Sequence, residues 1–139
     1  IPENLVQYTV NQHPDVPSPR IQFAEVDWDI ATLDSVLESA NVTVPLEEIR
    51  AMKIDVEGFE PEVITGASET LRRHTPLLMI EGANRVPAVM KPLSELGYRY
   101  GDFYDNAVAL SDSPSSRVSG FYLHESRLDE YRKLGLLLN

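Results

Sequence analysis

A chain of 139 residues, 42% hydrophobic and 24% charged, is long enough for one domain with a real core and too short for two ordinary ones. Its formal charge of −10 argues against nucleic acid, whose phosphates it would repel, and against anionic membranes. There is no cysteine, which excludes disulfides and thiolate zinc sites and fits a reducing, cytoplasmic setting. No apolar run reaches the ~18 residues of a membrane span, and no secretory leader is read. The chain starts at Ile1 without an initiator Met. It reads either as a trimmed chain or as the C-terminal part of a larger domain.

From the start, Leu5 to Val10 mixes β-branched and aromatic residues and suits a strand. His13 to Pro19 carries three prolines and reads as an extended loop. Ile21 to Val26 is a further strand candidate. Thr32 is an N-cap candidate with Asp34 in the first turn, and Leu33 to Ala40 reads as a short amphipathic helix. Asn41 to Pro45 breaks it, and Pro45 to Ile49 is a turn leading into a strand at Ala51 to Val56.

After Gly58 the apolar period changes. Phe59, Val63, Ala67 and Leu71 recur every four residues, the stripe of one continuous helix. Pro61 is tolerated near its start, Glu60 and Glu62 sit at the positive end of its dipole, and Arg72, Arg73 and His74 at the negative end. Leu77 to Ile80 is a continuous apolar run, expected for a strand covered on both faces. Val86, Val89, Met90, Leu93 and Leu96 form the next stripe, with Gly97 just past the end. Tyr98 to Tyr104, the turn candidate Asp105-Asn106, and Ala107 to Leu110 predict a β-hairpin. A polar loop from Ser111 to Ser119 precedes a last strand at Gly120 to His124. Ser126 to Asp129 fits a capping box opening a final helix. The apolar tail, Leu134 and Leu136 to Leu138, docks on the core or meets a partner. The fold class is α/β, with a parallel βαβ unit and antiparallel edge strands on the C-terminal side.

Chemistry concentrates where the two parallel strands end. Each runs into an acid and a glycine: Asp55-Val56-Glu57-Gly58 and Glu81-Gly82. Open parallel sheets place ligands outside the carboxyl ends of their strands. Side chains alternate along a strand, so Lys53, Asp55 and Glu57 share a face if the strand stays regular. Lys53 in such a strand is unusual and is expected to pair with Asp55 or Glu57, because an unpaired buried charge is costly. Asp55 is placed to bind a cation, hold a ligand amine or accept a proton; capping the following helix is the alternative. Glu57 and Glu60 fit capping better. With adjacent strands ~4.8 Å apart, Asp55 and Glu81 open into one acidic crevice, suited to a general base or to a hard metal such as Mg²⁺. His124 either reaches that crevice or is a satisfied strand-end histidine. The seven glycines form no G-x-G-x-x-G or P-loop, and no lipase-type elbow or H-E-x-x-H is present.

The segments Thr32-Leu-Asp34, Met52-Lys-Ile-Asp-Val-Glu-Gly-Phe-Glu60, Val63, Gly66-Ala67, Leu71, Pro76 and Glu81 together resemble the C-terminal half of the FkbM-type methyltransferases. The resemblance covers about Ile30 to Gly82. It implies a Rossmann-like class I methyltransferase sheet with Ala51–Val56 and Leu77–Ile80 as its fourth and fifth strands. It implies S-adenosylmethionine as methyl donor and a hydroxyl of a small molecule or glycan as acceptor. On this reading Asp55, Glu57 and Glu81 are catalytic candidates and Asp55, Val56 and Gly58 touch the cofactor. Glu60, Glu81 and His124 then face the acceptor. The family's glycine-rich turn after the first strand has no counterpart here, so the single domain lacks its N-terminal cofactor-binding part. A second chain or a second copy pairing at the edge of Ala51–Val56 would complete the sheet. Two readings stand beside this one: a metal-assisted enzyme using Asp55, Glu57 and Glu81, and a non-catalytic α/β module.

Overall fold

The computed structural model describes residues 30–39, 49–82, 87–112 and 119–138. Past Ile30 these belong to one unit, Ala31–Asn139. The strand candidates at Leu5–Val10 and Ile21–Val26, the proline loop, the break at Asn41–Pro45 and most of Ser111–Ser119 lie outside the described residues.

Among the described residues five strands form one sheet, in the order β1-β2-β5-β3-β4. They are β1 (Ala51–Ile54), β2 (Leu77–Glu81), β3 (Tyr98–Tyr104), β4 (Ala107–Leu110) and β5 (Ser119–His124). Strands β1 and β2 are parallel. β5 is antiparallel to both β2 and β3, which makes β3 parallel to β1 and β2. The last strand is therefore inserted inside the sheet, and only the β3–β4 hairpin forms the antiparallel edge. That hairpin turns at Asp105 and Asn106, both with positive φ. Such a two-residue turn matches the twist of its strands.

One face of the sheet is buried under helices. α1 (Leu33–Glu38) is capped by Thr32, whose Oγ1 accepts the Ser35 N–H at 3.1 Å. The helix expected after Gly58 is two helices, α2 (Glu60–Gly66) and α3 (Ser68–His74). The break has a physical cause. Gly66 is a poor helix former, and the carboxylate of Asp34 takes the N–H groups of Glu69 (3.0 Å) and Thr70 (2.9 Å). These first-turn donors, which a continuous helix would satisfy with its own carbonyls, are capped from across the fold. α3 ends at Thr75 in the left-handed conformation, just before Pro76.

The core of this face contains Ile64, Ala67, Leu71, Leu78, Ile80 and Leu93, the last from α4 (Pro87–Glu95). Each fully buried Leu or Ile contributes roughly 1.5–3 kcal/mol relative to exposure. Phe59 drops out of the expected stripe, being 53% exposed, and Ile64 takes the buried place.

The opposite face carries a second cluster of Val108, Leu123, Tyr131 and Leu137, with α5 (Leu128–Lys133) over it. Tail residue Leu137 is buried against Val108 in a parallel bridge that closes the outer edge of β4. Leu134, Leu136 and Leu138 remain exposed. This second layer does not cover β2 fully. Leu77 and Met79 are half-buried while Leu78 and Ile80 are buried, so β2 is closed on one face rather than on both. The final helix also starts differently from the capping-box expectation. His124 Nδ1 accepts the Ser126 N–H at 3.2 Å, a 3₁₀ turn spans Glu125–Arg127, and α5 follows at Leu128. Ser126 Oγ lies 2.8 Å from that same ring nitrogen, which occupies the hydroxyl that a capping box would need.

Candidate functional site

The register of β1 and β2 builds the site. Ile54 lies opposite Ile80, so the next residues, Asp55 and Glu81, emerge side by side from neighbouring strands. Their side chains share the face of Lys53 and Met79, away from the helix-covered core, as strand alternation requires. Lys53 Nζ donates to Asp55 Oδ2 at 2.8 Å. The Lys53 ammonium so close to Asp55 holds its carboxyl below the usual range, helped by a hydrogen bond with Glu81 and opposed by partial desolvation. Glu81 shifts the other way. The hydrogen bond to Asp55 and that group's negative charge hold Glu81 above its ordinary value, with burial and Glu57 adding in the same direction. The Lys53 ammonium is itself raised, chiefly by its bond to Asp55. Two carboxyls side by side thus have unlike proton affinities, an arrangement typical of acid–base sites and also of structural ion-pair networks.

β1 ends at Ile54, two residues short of the expected Val56, because the backbone turns sharply. Glu57 has φ of 52° and Gly58 φ of 105°, both left-handed. A non-glycine residue there is sparsely populated and costs of order 1 kcal/mol or more. Glu60 holds the turn. The residue is only 6% exposed, and its carboxylate accepts the N–H groups of Gly58 at 3.2 Å and Val56 at 3.4 Å. Phe59 projects from the tip. A Cβ placed on Gly58 or Gly82 would meet no heavy atom within 4 Å, so the backbone at both strand ends is approachable.

The structure brings Asp55, Glu57, Gly58 and Glu81 to the same end of the β1–β2 pair and separates the other named residues from it. Val56 packs against the core. Glu60 points inward to its loop. His124 stands at the opposite end of the sheet. β5 runs antiparallel, so Ser119 rather than His124 is the partner of Glu81, and His124 pairs with Tyr98 at the start of β3. Its ring meets Tyr98 edge-on at 5.1 Å between centroids. Among the described residues no group of three or more acids, histidines or cysteines is placed to hold a metal ion, so Asp55, Glu57 and Glu81 do not form a ligand set. Cavities of about 250, 260 and 270 Å³ lie elsewhere, and neither Asp55 nor Glu81 lines them. No described helix is long and apolar enough to cross a membrane.

The role of Asp34 is invisible in the sequence, because its partners Glu69 and Thr70 are more than thirty positions away. Lys53 did carry a signal: a lysine in an apolar strand, two positions before an aspartate on the same face.

A comparison with protein families matches residues 7–100 to the methyltransferase FkbM domain, more than half of the chain. The chain belongs to the FkbM methyltransferase family. Its five-stranded α/β sheet is accordingly of the Rossmann-like class I methyltransferase kind. No curated protein and no solved structure matches the chain. The match extends the resemblance read from Ile30 to Gly82 in both directions, through α4 and into β3.

Proposed function

We propose that this FkbM-family chain is the acceptor-side portion of an S-adenosylmethionine-dependent O-methyltransferase acting on a hydroxyl of a small molecule or glycan. The observation that carries this reading is the Asp55–Glu81 pair at the ends of adjacent parallel strands, where open α/β sheets hold their ligands. The crevice fits one side of the cofactor. A sulfonium and an ammonium group are cationic, and Asp55 and Glu57 offer carboxylates to them. The backbone beside Gly58 is open to close approach. When bound, the cofactor supplies an electrophilic methyl group.

The acid–base work falls to this chain's own side chains. Asp55, kept ionised by Lys53, accepts the proton of the acceptor hydroxyl. Glu81, whose proton affinity is raised beside Asp55, takes the second position at the strand ends and contacts the acceptor. A well-placed general base is worth roughly 10²–10⁴-fold in rate. Much of the remaining acceleration comes from holding acceptor oxygen and methyl group in line. The rest of the cofactor pocket comes from strands added at the open side of β1, which among the described residues has a neighbour on one side only. A preceding stretch of chain or a second copy would supply them.

The test is calorimetric titration of S-adenosylmethionine into the protein, with its oligomeric state measured on the same sample. Transfer of labelled methyl to a panel of hydroxylated acceptors follows. Saturable binding and a fall in kcat of about 10²–10⁴ in Asp55→Asn are expected. Absence of binding in every oligomeric form, or transfer indifferent to Asp55→Asn, refutes the proposal.

A further inference from the structure

We propose that Lys53 is a positioning residue: through its contact with Asp55 it keeps Asp55 the ionised member of two neighbouring carboxyls and confines their shared proton to Glu81. The geometry is that of the two strands. Positions 53 and 55 lie on one face of β1, and position 81 follows the Ile54–Ile80 pair on β2. Neighbouring strands are ~4.8 Å apart, so the carboxyls at 55 and 81 cannot both ionise without repulsion. One proton between two such groups has two places to reside. The ordinary values of the two groups, 3.8 for the aspartate and 4.5 for the glutamate, already lean the proton toward Glu81, but modestly. Lys53 deepens that bias. Its ammonium is 2.8 Å from Asp55 Oδ2, and its three donors favour the ionised form of the group they touch. The proton is left on Glu81.

The other charged groups around Asp55 do not compete for this role. Glu57, in the turn beyond β1, adds negative charge and raises the proton affinity of Glu81. Glu60, the first residue of α2, is committed to the N–H groups of Val56 and Gly58. Among the described residues Lys53 is the cation bonded to the pair. The chemical consequence concerns direction. Wherever the pair holds a single proton, a hydroxyl acceptor approaching it meets a carboxylate from β1 and a carboxylic acid from β2, not two half-protonated groups. Proton acceptance is thereby assigned to Asp55, at the end of β1.

This inference rests on the proposed catalytic role of Asp55, but its test needs no turnover. The side-chain carboxyl carbons of Asp55 and Glu81 are followed by NMR across an acid titration, and assigned with Asp55→Asn and Glu81→Gln. In the unaltered protein the lower-pH step is expected mainly at the Asp55 carbon and the higher-pH step mainly at the Glu81 carbon. In Lys53→Met each step should spread further onto both carbons, the lower-pH step gaining amplitude at Glu81 and the higher-pH step at Asp55, the signature of a proton less firmly assigned. Lys53→Arg should retain the unaltered pattern. The side chain of Lys53 is 58% exposed, so both variants are expected to fold, with circular dichroism as the check. Unchanged amplitudes in Lys53→Met overturn the proposal, and so does Lys53→Arg behaving like Lys53→Met. Redistributed amplitudes without detectable methyl transfer leave the role of Lys53 standing and remove the methyltransferase reading alone.

Discussion

Replacing Asp34 by Ala removes a cap that joins α1 to α3 across the fold. The carboxylate accepts three hydrogen bonds: from Glu69 N at 3.0 Å, Thr70 N at 2.9 Å and Thr70 Oγ1 at 2.6 Å. No side chain local to α3 caps its N-terminus. Loss of an N-cap costs about 0.5–2 kcal/mol. Thr70 is buried, so its hydroxyl also loses a partner, adding about 1 kcal/mol. The expected sum is roughly 1.5–3 kcal/mol, or a fall in Tm of order 10 °C for a domain of this size. Urea unfolding of both proteins measures it, at unchanged m-value. The pH dependence gives a second readout. Burial pushes the Asp34 carboxyl up, but the Thr70 and Glu69 hydrogen bonds outweigh it and hold the group below its ordinary 3.8. A group depressed on folding contributes stability above its unfolded pKa and loses it as the pH falls through the lower folded one. The gap between the two proteins should therefore be constant near neutrality and narrow below about pH 4. A destabilisation under 0.5 kcal/mol, or a gap that widens in acid, would refute the reasoning.

Two further expectations concern the loop and the sheet. Glu60→Ala should expose the Val56 and Gly58 amides to faster hydrogen exchange, by about 10-fold for each 1.4 kcal/mol of lost protection. Glu60→Gln, which keeps the accepting oxygen, should preserve it; equal exchange in both variants would show that the carboxylate does not hold the turn. Gly120→Ala should destabilise by about 1–3 kcal/mol, because the added Cβ would stand 2.7 Å from Tyr100 Cε2. The ring has little freedom to retreat, since its hydroxyl is bonded to buried Asp102 at 2.6 Å. Thermal denaturation indistinguishable from the unaltered protein would contradict this.

Local order was legible wherever one residue or one short period decides it. The Thr32 cap, the Asp105-Asn106 turn and the hairpin around it follow from φ preferences and side-chain reach within four residues. So does the placement of Asp55 and Glu81 at strand ends, because an apolar run that stops at an acid and a glycine is a local event. The split of one expected helix into α2 and α3 was not legible. Its cause, Asp34, is remote in sequence, and the apolar stripe passes through Ala67 and Leu71 without a break in period. His124 was readable as a strand end but not as belonging to the far end of the sheet. Its location depends on the direction of β5, which no side-chain pattern within β5 encodes.

The amino-acid sequence alone determined the family motif, the acid at each strand end and the elements that carry them, since these rest on short-range chemistry. The tertiary structure decided which of those acids meet. Parallel pairing of Ile54 with Ile80 sets Asp55 beside Glu81, and Lys53 lands on Asp55 because strand side chains repeat every second residue. Antiparallel insertion of β5 carries His124 away. Strand order and direction are properties of non-local hydrogen bonding, and the proton affinities of the crevice follow from distances that exist only once those bonds have formed.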